Sequence, residues 1–168
     1  MDTLYPLAEA AVKEATAQGL TLATAESLTA GLIAATIADV PGASKALRGG
    51  VVSYALEIKQ SVLGVRGIGE DRVVSEDCAR QMAAGARRLM GADIAVSATG
   101  VAGPDGGTEA IPVGTVWIGC AHADTVTARE YHFTGDRQAV RTETVRQALT
   151  TILECMKGGQ QHGGKENH

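Results

Sequence analysis

The chain has 168 residues, of which 45% are hydrophobic and 20% are charged, and its formal net charge is -4. This length fits one domain, since a domain of about 150 residues buries roughly 70% of the surface that its unfolded chain exposes. The acidic balance disfavours direct binding of nucleic acid, which usually requires a basic face. We expect no membrane association, because no apolar run is long enough to cross a bilayer.

The number and spacing of the cysteines indicate in which cellular compartment the protein functions. Cys78, Cys120 and Cys155 are odd in number and widely spaced, without a C-x-x-C pair. They predict reduced thiols in a cytoplasmic protein rather than a disulfide framework or a zinc site. We also expect no signal peptide, because the first residues lack the basic flank and apolar core of one.

The first half of the chain alternates between helical and strand patterns. Apolar residues at helical spacing predict an amphipathic first helix, which Gly19 ends. A short apolar run then predicts a buried strand, and the almost uncharged segment after it predicts a buried helix. The predicted elements are helix 4–18, strand 20–25, helix 28–39, strand 50–54, helix 57–63 and loop 64–74.

The second half adds one more helix–strand unit and a hairpin. Ser75, followed by two acidic residues, is typical of a helix start. The predicted elements are a helix from Ser75, strand 94–98, strands 113–120 and 126–133 joined by a polar turn, and a final helix after Asp136. Helix-linked strands with a terminal hairpin predict an α/β fold, a mixed, mostly parallel five-stranded sheet covered by helices on both faces. We expect one domain over residues 1–157 and a disordered polar tail over 158–168.

A serine lies where the first strand turns toward the next helix. Ser27 is at or next to the predicted helix start, where serine is a preferred N-cap, and taken alone it is assigned that structural role. The alternative is a nucleophile beside the free backbone N–H groups of the helix start, which would hold an oxyanion or a phosphate. Open α/β sheets bind ligands at the carboxyl ends of their strands, so residues at the other strand ends help to decide between these two roles of Ser27.

A serine nucleophile needs a base, and the second strand end offers one. Lys59 is the candidate, provided that burial lowers its pKa from about 10.4 toward neutrality. Tyr54 would relay the proton or hold the lysine. The alternative is a strand tyrosine and a surface lysine. His122 and His132 lie on or beside the predicted hairpin and are assigned to a turn and a strand.

A glycine-rich loop follows the third strand at residues 100–107. It matches neither the dinucleotide-binding nor the P-loop fingerprint. Its four glycines exceed what the Pro104-Asp105-Gly106 turn requires, so we expect the backbone to close on a ligand. Arg137 and Arg141 lie one helical turn apart at the start of the last helix, where they would hold a phosphate; two exposed helix arginines are the alternative.

Together these segments resemble the C-terminal domain family of the competence/damage-inducible protein CinA over about residues 5–157. The resemblance rests on ordered blocks of motif residues rather than on one site. The blocks are Thr24-Ala25-Glu26-Ser27 with Thr29 and Gly31, Ser53-Tyr54 with Lys59, Val74-Ser75-Glu76, the loop Gly100 to Gly107, Pro112 to Val116, and Gly135-Asp136-Arg137 with Arg141.

The resemblance implies a three-layer α/β/α fold, a homodimer and no metal or other cofactor. It also implies an amidohydrolase of NAD salvage that converts nicotinamide mononucleotide and water to nicotinate mononucleotide and ammonia. The serine, tyrosine and lysine proposed as catalytic in that family match Ser27, Tyr54 and Lys59. The residues assigned to binding of the mononucleotide are Thr29, Gly31, Gly100, Ala102, Gly103, Gly106, Arg137 and Arg141.

The chain departs from the family pattern at three positions. Leu28 stands where a cysteine is usual, Ala30 where a glycine is common, and Leu56 where an asparagine often follows the tyrosine by two. The last change removes a polar group near the candidate base, and it favours the alternative of a non-catalytic nucleotide-binding or regulatory module. A short-chain-dehydrogenase-like oxidoreductase is a further alternative. It is disfavoured because that family has three residues between tyrosine and lysine, whereas four intervene here.

Overall fold

The computed structural model describes residues 3–163 of the chain. In chain order it has a helix before the first strand, helical crossovers that join the first three strands, a hairpin and a long final helix. The helices are α1 (Tyr5–Gln18), α2 (Leu32–Ala38), α3 (Leu56–Leu63), α4 (Glu76–Met90) and α5 (Arg137–Gly163). The strands are β1 (Leu22–Glu26), β2 (Leu47–Val52), β3 (Ile94–Gly100), β4 (Thr115–His122) and β5 (Thr125–His132).

The five strands form one mixed sheet in the order β2-β1-β3-β4-β5. β1 pairs in parallel with both β2 and β3, whereas β4 runs antiparallel to β3 and to β5. The predicted fold class is therefore confirmed. Every residue of β1 is buried, as expected of a parallel strand covered on both faces.

Two hydrophobic cores lie on opposite faces of the sheet. One joins the sheet to α1, α2 and α5, and the other joins it to α3 and α4. Close approach on the second face depends on glycine, because a Cβ at Gly119 of β4 would collide with the carbonyl oxygen of Ala79 in α4. None of the helices described between residues 3 and 163 is long and apolar enough to cross a membrane.

The largest departure from the predicted elements follows β1. The helix predicted over 28–39 is wrong at its start, since α2 begins at Leu32. The preceding residues turn instead, with φ of 49° at Ala30 and 96° at Gly31. These left-handed conformations cannot continue an α-helix, so Ser27 is not an N-cap.

The other helix starts and ends agree more closely with the pattern. Oγ of Ser75 accepts a hydrogen bond from the backbone N–H of Cys78, so the predicted N-cap of α4 is confirmed. α5 extends six residues beyond the predicted boundary at 157, through part of the tail that was expected to be disordered. The glutamines of that segment are good helix formers, although it has no apolar residues. Residues 164–168 lie outside the described residues.

Candidate active site

Ser27 and Lys59 meet at the carboxyl end of β1. Ser27 immediately follows this strand, and Lys59 lies on α3, which follows the neighbouring parallel strand β2. Nζ of Lys59 is 3.1 Å from Oγ of Ser27. The lysine side chain is almost completely enclosed, at 1% exposure, and Ser27 is 9% exposed. The structure thus brings together the two side chains that a serine–amine mechanism requires.

Burial of Lys59 favours its neutral form, although its carbonyl contacts would also suit an ammonium group. Nζ donates to the carbonyl oxygens of Ser53, at 2.5 Å, and Tyr54, at 3.2 Å. Burial lowers the pKa of Lys59 below its ordinary 10.5, opposed by Cys78 and the Glu70 carboxylate. A neutral amine has two N–H bonds, which the two carbonyls accept, and one lone pair. In the neutral form that lone pair accepts the hydroxyl proton of Ser27, whereas an ammonium Nζ donates to Oγ of Ser27.

Tyr54 contributes to the site through two separate parts. Its backbone carbonyl holds Lys59, whereas its hydroxyl accepts a hydrogen bond from Nη2 of Arg137 at 2.8 Å. The tyrosine side chain is 55% exposed. The proton relay expected through the hydroxyl therefore has no counterpart in these contacts, and the exposed ring forms part of the mouth of the site.

Glu26 is the site residue to which the sequence reasoning assigned no role. Its carboxylate, 1% exposed, accepts hydrogen bonds from the hydroxyls of Thr24, at 3.0 Å, and Thr29, at 2.7 Å. It also accepts from the backbone N–H groups of Ile33, at 2.8 Å, and Ala34, at 3.0 Å. A carboxylate in an otherwise buried strand needs such partners, so the nearby threonines in the sequence could have indicated that Glu26 is buried and hydrogen-bonded.

The Glu26 carboxylate performs the capping that was expected of Ser27. It occupies the second and third backbone N–H groups of α2, so these two groups are not open to an oxyanion. It also takes the hydroxyl of Thr29, which is completely buried, so this hydroxyl is not open to a substrate. As a result, Oγ of Ser27 is left for Lys59.

Oxyanion donors are instead available in the turn after Ser27. Within residues 3–163, the backbone N–H groups of Leu28 and Thr29 have no hydrogen-bond acceptor. They directly follow the nucleophile in sequence, as the donor in many acyl-transfer sites does. The backbone N–H groups at the start of the predicted 28–39 helix therefore lie in a turn that precedes α2.

The two arginines at the start of α5 each hold one wall of the site. Nε and Nη2 of Arg141 donate to the carbonyl oxygens of Leu28, at 2.9 Å, and Thr29, at 3.1 Å. Nη1 of Arg137 donates to the carbonyl oxygen of Gly103 at 2.7 Å. Arg141 thus supports the turn after Ser27, and Arg137 supports the glycine-rich loop. Both were assigned to a phosphate, and part of their donor capacity is used by the protein itself.

The glycine-rich loop lies on the opposite side of the site from α3. Gly103 and Gly106 have φ of 82° and 90°, in the left-handed region that favours glycine. Gly106 is exposed, whereas Ala102 and Gly103 are buried. Among the described residues, the backbone N–H groups of these three have no acceptor. Gly31 and Gly100, also assigned to the substrate, are half-buried at the start of α2 and the end of β3.

No metal centre is evident in the described part of the chain. Between residues 3 and 163, no group of three or more His, Cys, Asp or Glu side chains is placed to hold a metal ion. The functional groups of the site are the Ser27 hydroxyl, the Lys59 amine, backbone N–H donors and the guanidinium group of Arg137. This set matches hydrolysis of an amide or ester through an acyl intermediate.

The sequence is similar to known proteins over nearly its whole described length. A family model for the CinA C-terminal domain matches residues 4–156. A CinA-like protein of Thermotoga maritima is 46% identical over 143 residues, and one of Geobacter sulfurreducens is 48% identical over 134 residues. These alignments cover 82% and 79% of this chain but 34% and 32% of those proteins. The chain thus spans about a third of the length of these curated relatives.

Solved structures match the fold along nearly their whole chains. A CinA superfamily protein from Klebsiella pneumoniae is 34% identical, with a TM-score of 0.87, and the match covers 92% of this chain and 98% of that chain. A superfamily protein from Escherichia coli is 33% identical, with a TM-score of 0.86 and coverage of 92% and 91%. A competence/damage-inducible protein from Agrobacterium tumefaciens is 35% identical, with a TM-score of 0.84 and coverage of 90% and 94%.

Proposed function

The chain belongs to the CinA C-terminal domain family, and we propose that it is an amidohydrolase that converts nicotinamide mononucleotide and water to nicotinate mononucleotide and ammonia. The observation that most supports this activity is the contact of the buried Lys59 amine with the Ser27 hydroxyl. The reaction would take place in the cytoplasm, without a metal or organic cofactor. The homodimer implied by the family resemblance is part of the same proposal.

The first half of the reaction is acyl transfer to the serine. Lys59, as a neutral amine, accepts the hydroxyl proton while Oγ of Ser27 forms a bond to the carboxamide carbon. The tetrahedral intermediate collapses when the lysine ammonium gives this proton to the amide nitrogen. The C–N bond then breaks, ammonia leaves, and the nicotinoyl group remains on the serine oxygen as an ester.

The second half is hydrolysis of that ester. Lys59 accepts a proton from water as the water oxygen attacks the acyl carbon, and the lysine then returns a proton to Oγ of Ser27. The nicotinate carboxyl group is released, and the site regains its starting protonation. In both halves, the negative oxygen would be held by the backbone N–H groups of Leu28 and Thr29. A single donor of this kind accounts for roughly 100- to 1,000-fold in kcat in other acyl-transfer enzymes.

The rest of the substrate would lie across the mouth of the site. The exposed ring of Tyr54 offers an apolar face for the pyridine ring. The exposed glycine-rich loop, with free backbone N–H groups at Gly106 and its neighbours, would hold the 5′-phosphate together with Arg137. Arg141 is better suited to support than to binding, because it already donates to Leu28 and Thr29.

The test is release of ammonia and nicotinate mononucleotide from nicotinamide mononucleotide without added metal. We expect turnover by the wild type, and a loss of at least about 1,000-fold in kcat for Ser27→Ala and Lys59→Met. Methionine is chosen because it fills the volume of the buried lysine stem. Ser61→Ala and Lys45→Met, at exposed positions, are the matched controls and should retain the wild-type rate.

Two results would contradict the proposal. Full turnover by Ser27→Ala would exclude the serine as nucleophile. Binding of the mononucleotide by the wild type without release of ammonia would favour the alternative of a non-catalytic nucleotide-binding module. In that case Leu56→Asn would be the next variant, since Leu56 packs against the core under α3, where the family often has asparagine.

A further inference from the structure

A second cluster of nucleophilic side chains lies on the α5 face of the sheet. Cys120 and His122 are two residues apart on β4, so they share one face of the strand. Cys155 lies on α5 and packs against the same core as Cys120. All three line a cavity of about 440 Å³ between the hairpin and the last helix.

This cavity is separate from the Ser27 site. None of its lining residues belongs to the turn after Ser27, to α3 or to the glycine-rich loop. His122 pairs with Ile94, the first residue of β3. Ser27, by contrast, follows the residue of β1 that pairs with Ala98 near the other end of β3. The cysteine cluster therefore extends toward the end of the sheet where β3 begins, whereas Ser27 lies near the end where β3 stops.

The two thiols of the cluster differ in access and in charge. Cys120 is 6% exposed, whereas Cys155 is only half-buried. The neighbouring Cys120 and His122 side chains lower the pKa of the Cys155 thiol, against the opposing effect of burial. Contact with Cys155 and burial raise the pKa of Cys120. The accessible cysteine is thus the more acidic thiol of the pair, with a second thiol beside it.

We propose that Cys155 and Cys120 form a thiol–disulfide exchange site for a low-molecular-weight disulfide. The Cys155 thiolate attacks one sulfur of the small disulfide, whose S–S bond breaks, and one small thiolate leaves. The Cys120 thiol then attacks the Cys155 sulfur. The second small thiolate leaves with the proton of Cys120, so that the small disulfide is reduced and the protein pair is oxidised to a disulfide.

The cavity lining indicates the class of disulfide. Its volume is within the roughly 300–1,000 Å³ that small-molecule sites usually have. Besides the cysteines and threonine hydroxyls, it has one cationic residue, Arg129 on β5, and one anionic residue, Glu154 on α5. This pair complements the carboxylate and ammonium groups of an amino-acid or peptide disulfide. Oxidised glutathione is therefore a suitable probe.

Cys78 provides an internal control. It is completely buried, lies on the other face of the sheet, and has its sulfur 3.7 Å from that of Met82. Burial raises the pKa of Cys78 to about 11, so its thiol should remain protonated and unreactive. A general oxidant effect would not distinguish the three cysteines, whereas the proposed site would.

The experiment treats the reduced protein with oxidised glutathione under non-denaturing conditions and measures intact and peptide masses. The wild type and Cys78→Ser should lose two hydrogens, with residues 120 and 155 cross-linked. Cys120→Ser should stop at one glutathione adduct on Cys155, and Cys155→Ser should gain none. Modification of Cys78, an adduct on Cys155→Ser, or the absence of a cross-link in the wild type would each overturn the proposal.

Thermal unfolding provides a second readout. A cross-link that closes a loop of about 35 residues should raise the Tm by roughly 5–10 °C, since it restricts the unfolded chain. The increase should occur in the wild type and Cys78→Ser and disappear on reduction. An equal increase in Cys120→Ser would overturn the proposal, because that variant cannot form the cross-link.

Discussion

Replacement of Glu26 by glutamine tests whether its carboxylate positions the nucleophile. All four groups that contact the carboxylate are hydrogen-bond donors, and each oxygen receives one hydroxyl and one backbone N–H. Glutamine keeps the shape but turns one acceptor oxygen into an NH₂ group. A threonine hydroxyl can rotate to accept from that group, but a backbone N–H cannot. One buried N–H, of Ile33 or Ala34, therefore loses its acceptor in either orientation of the amide.

The size of the effect follows from that count. A buried donor left without an acceptor costs about 1–3 kcal/mol, and hydrogen bonds to a charged acceptor are worth more than those to a neutral one. We expect Glu26→Gln to lower the free energy of unfolding by about 3 kcal/mol. For a chain of this size that corresponds to a decrease in Tm of roughly 6–12 °C. Glu57→Gln, at an exposed position of α3, is the matched control and should leave the Tm unchanged.

Activity measurements separate positioning from a general loss of fold. The carboxylate anchors the turn that carries Ser27, so Glu26→Gln should lower kcat for ammonia release by about 10- to 100-fold, below the Tm of the variant, with little change in KM. The pH at which the rate is half-maximal should stay as in the wild type, because Lys59 keeps its own contacts. An unchanged Tm and kcat would refute the anchoring argument. A displaced pH midpoint would refute the assignment of Glu26 to positioning alone.

Three further predictions concern the base, the tyrosine and the packing of the sheet. Tyr54→Phe removes a hydroxyl that contacts Arg137 rather than Lys59. We therefore expect kcat/KM to fall by no more than about tenfold. A loss of about 1,000-fold in steady-state rates would instead indicate a proton relay through Tyr54. Burial lowers the pKa of Lys59 below 10.5, so kcat/KM should rise with pH to a midpoint below that value. Lys59→Arg should be inactive at every pH. A wild-type rate that does not depend on pH would exclude the lysine as base. The unfolded chain holds this proton more tightly than the folded one, so urea titrations should show the stability of the wild type increasing, relative to Lys59→Met, from the folded-state pKa up to 10.5. Gly119→Ala places a Cβ against the carbonyl oxygen of Ala79 and should cost about 1–3 kcal/mol in urea unfolding; a neutral result would show that α4 can move away freely.

Local signals in the sequence were sufficient for most of the fold. Gly19 ends α1 with φ of 69°, and Ser75 caps α4 through its hydroxyl, as predicted. Both features depend on residues within one helical turn, so they can be predicted from the sequence. The strand pattern and the terminal hairpin similarly predicted a mixed five-stranded sheet, since period-two and apolar-run patterns report which faces of a strand are covered.

The start of α2 was predicted wrongly because the deciding contact is not local. A serine before an apolar run is an ordinary N-cap signal, and Ser27 matched it. The actual cap is the Glu26 carboxylate, which reaches residues seven and eight positions later only because the chain reverses between them. Propensity rules do not include a glutamate six residues before the first residue of the helix, and the left-handed φ of Ala30 is rare outside glycine.

In the candidate site, the sequence likewise indicates the reactive residues but not their contacts. A serine, a lysine and a glycine-rich loop at three strand ends could be recognised from residue types and spacing, because parallel strands bring their carboxyl ends to one edge. The partner of each side chain could not. The hydroxyl of Tyr54 binds an arginine 83 residues away, Arg141 holds a turn 113 residues before it, and Cys155 contacts a cysteine on another element. These pairings depend on how α5 packs across the sheet, and no local periodicity encodes that placement.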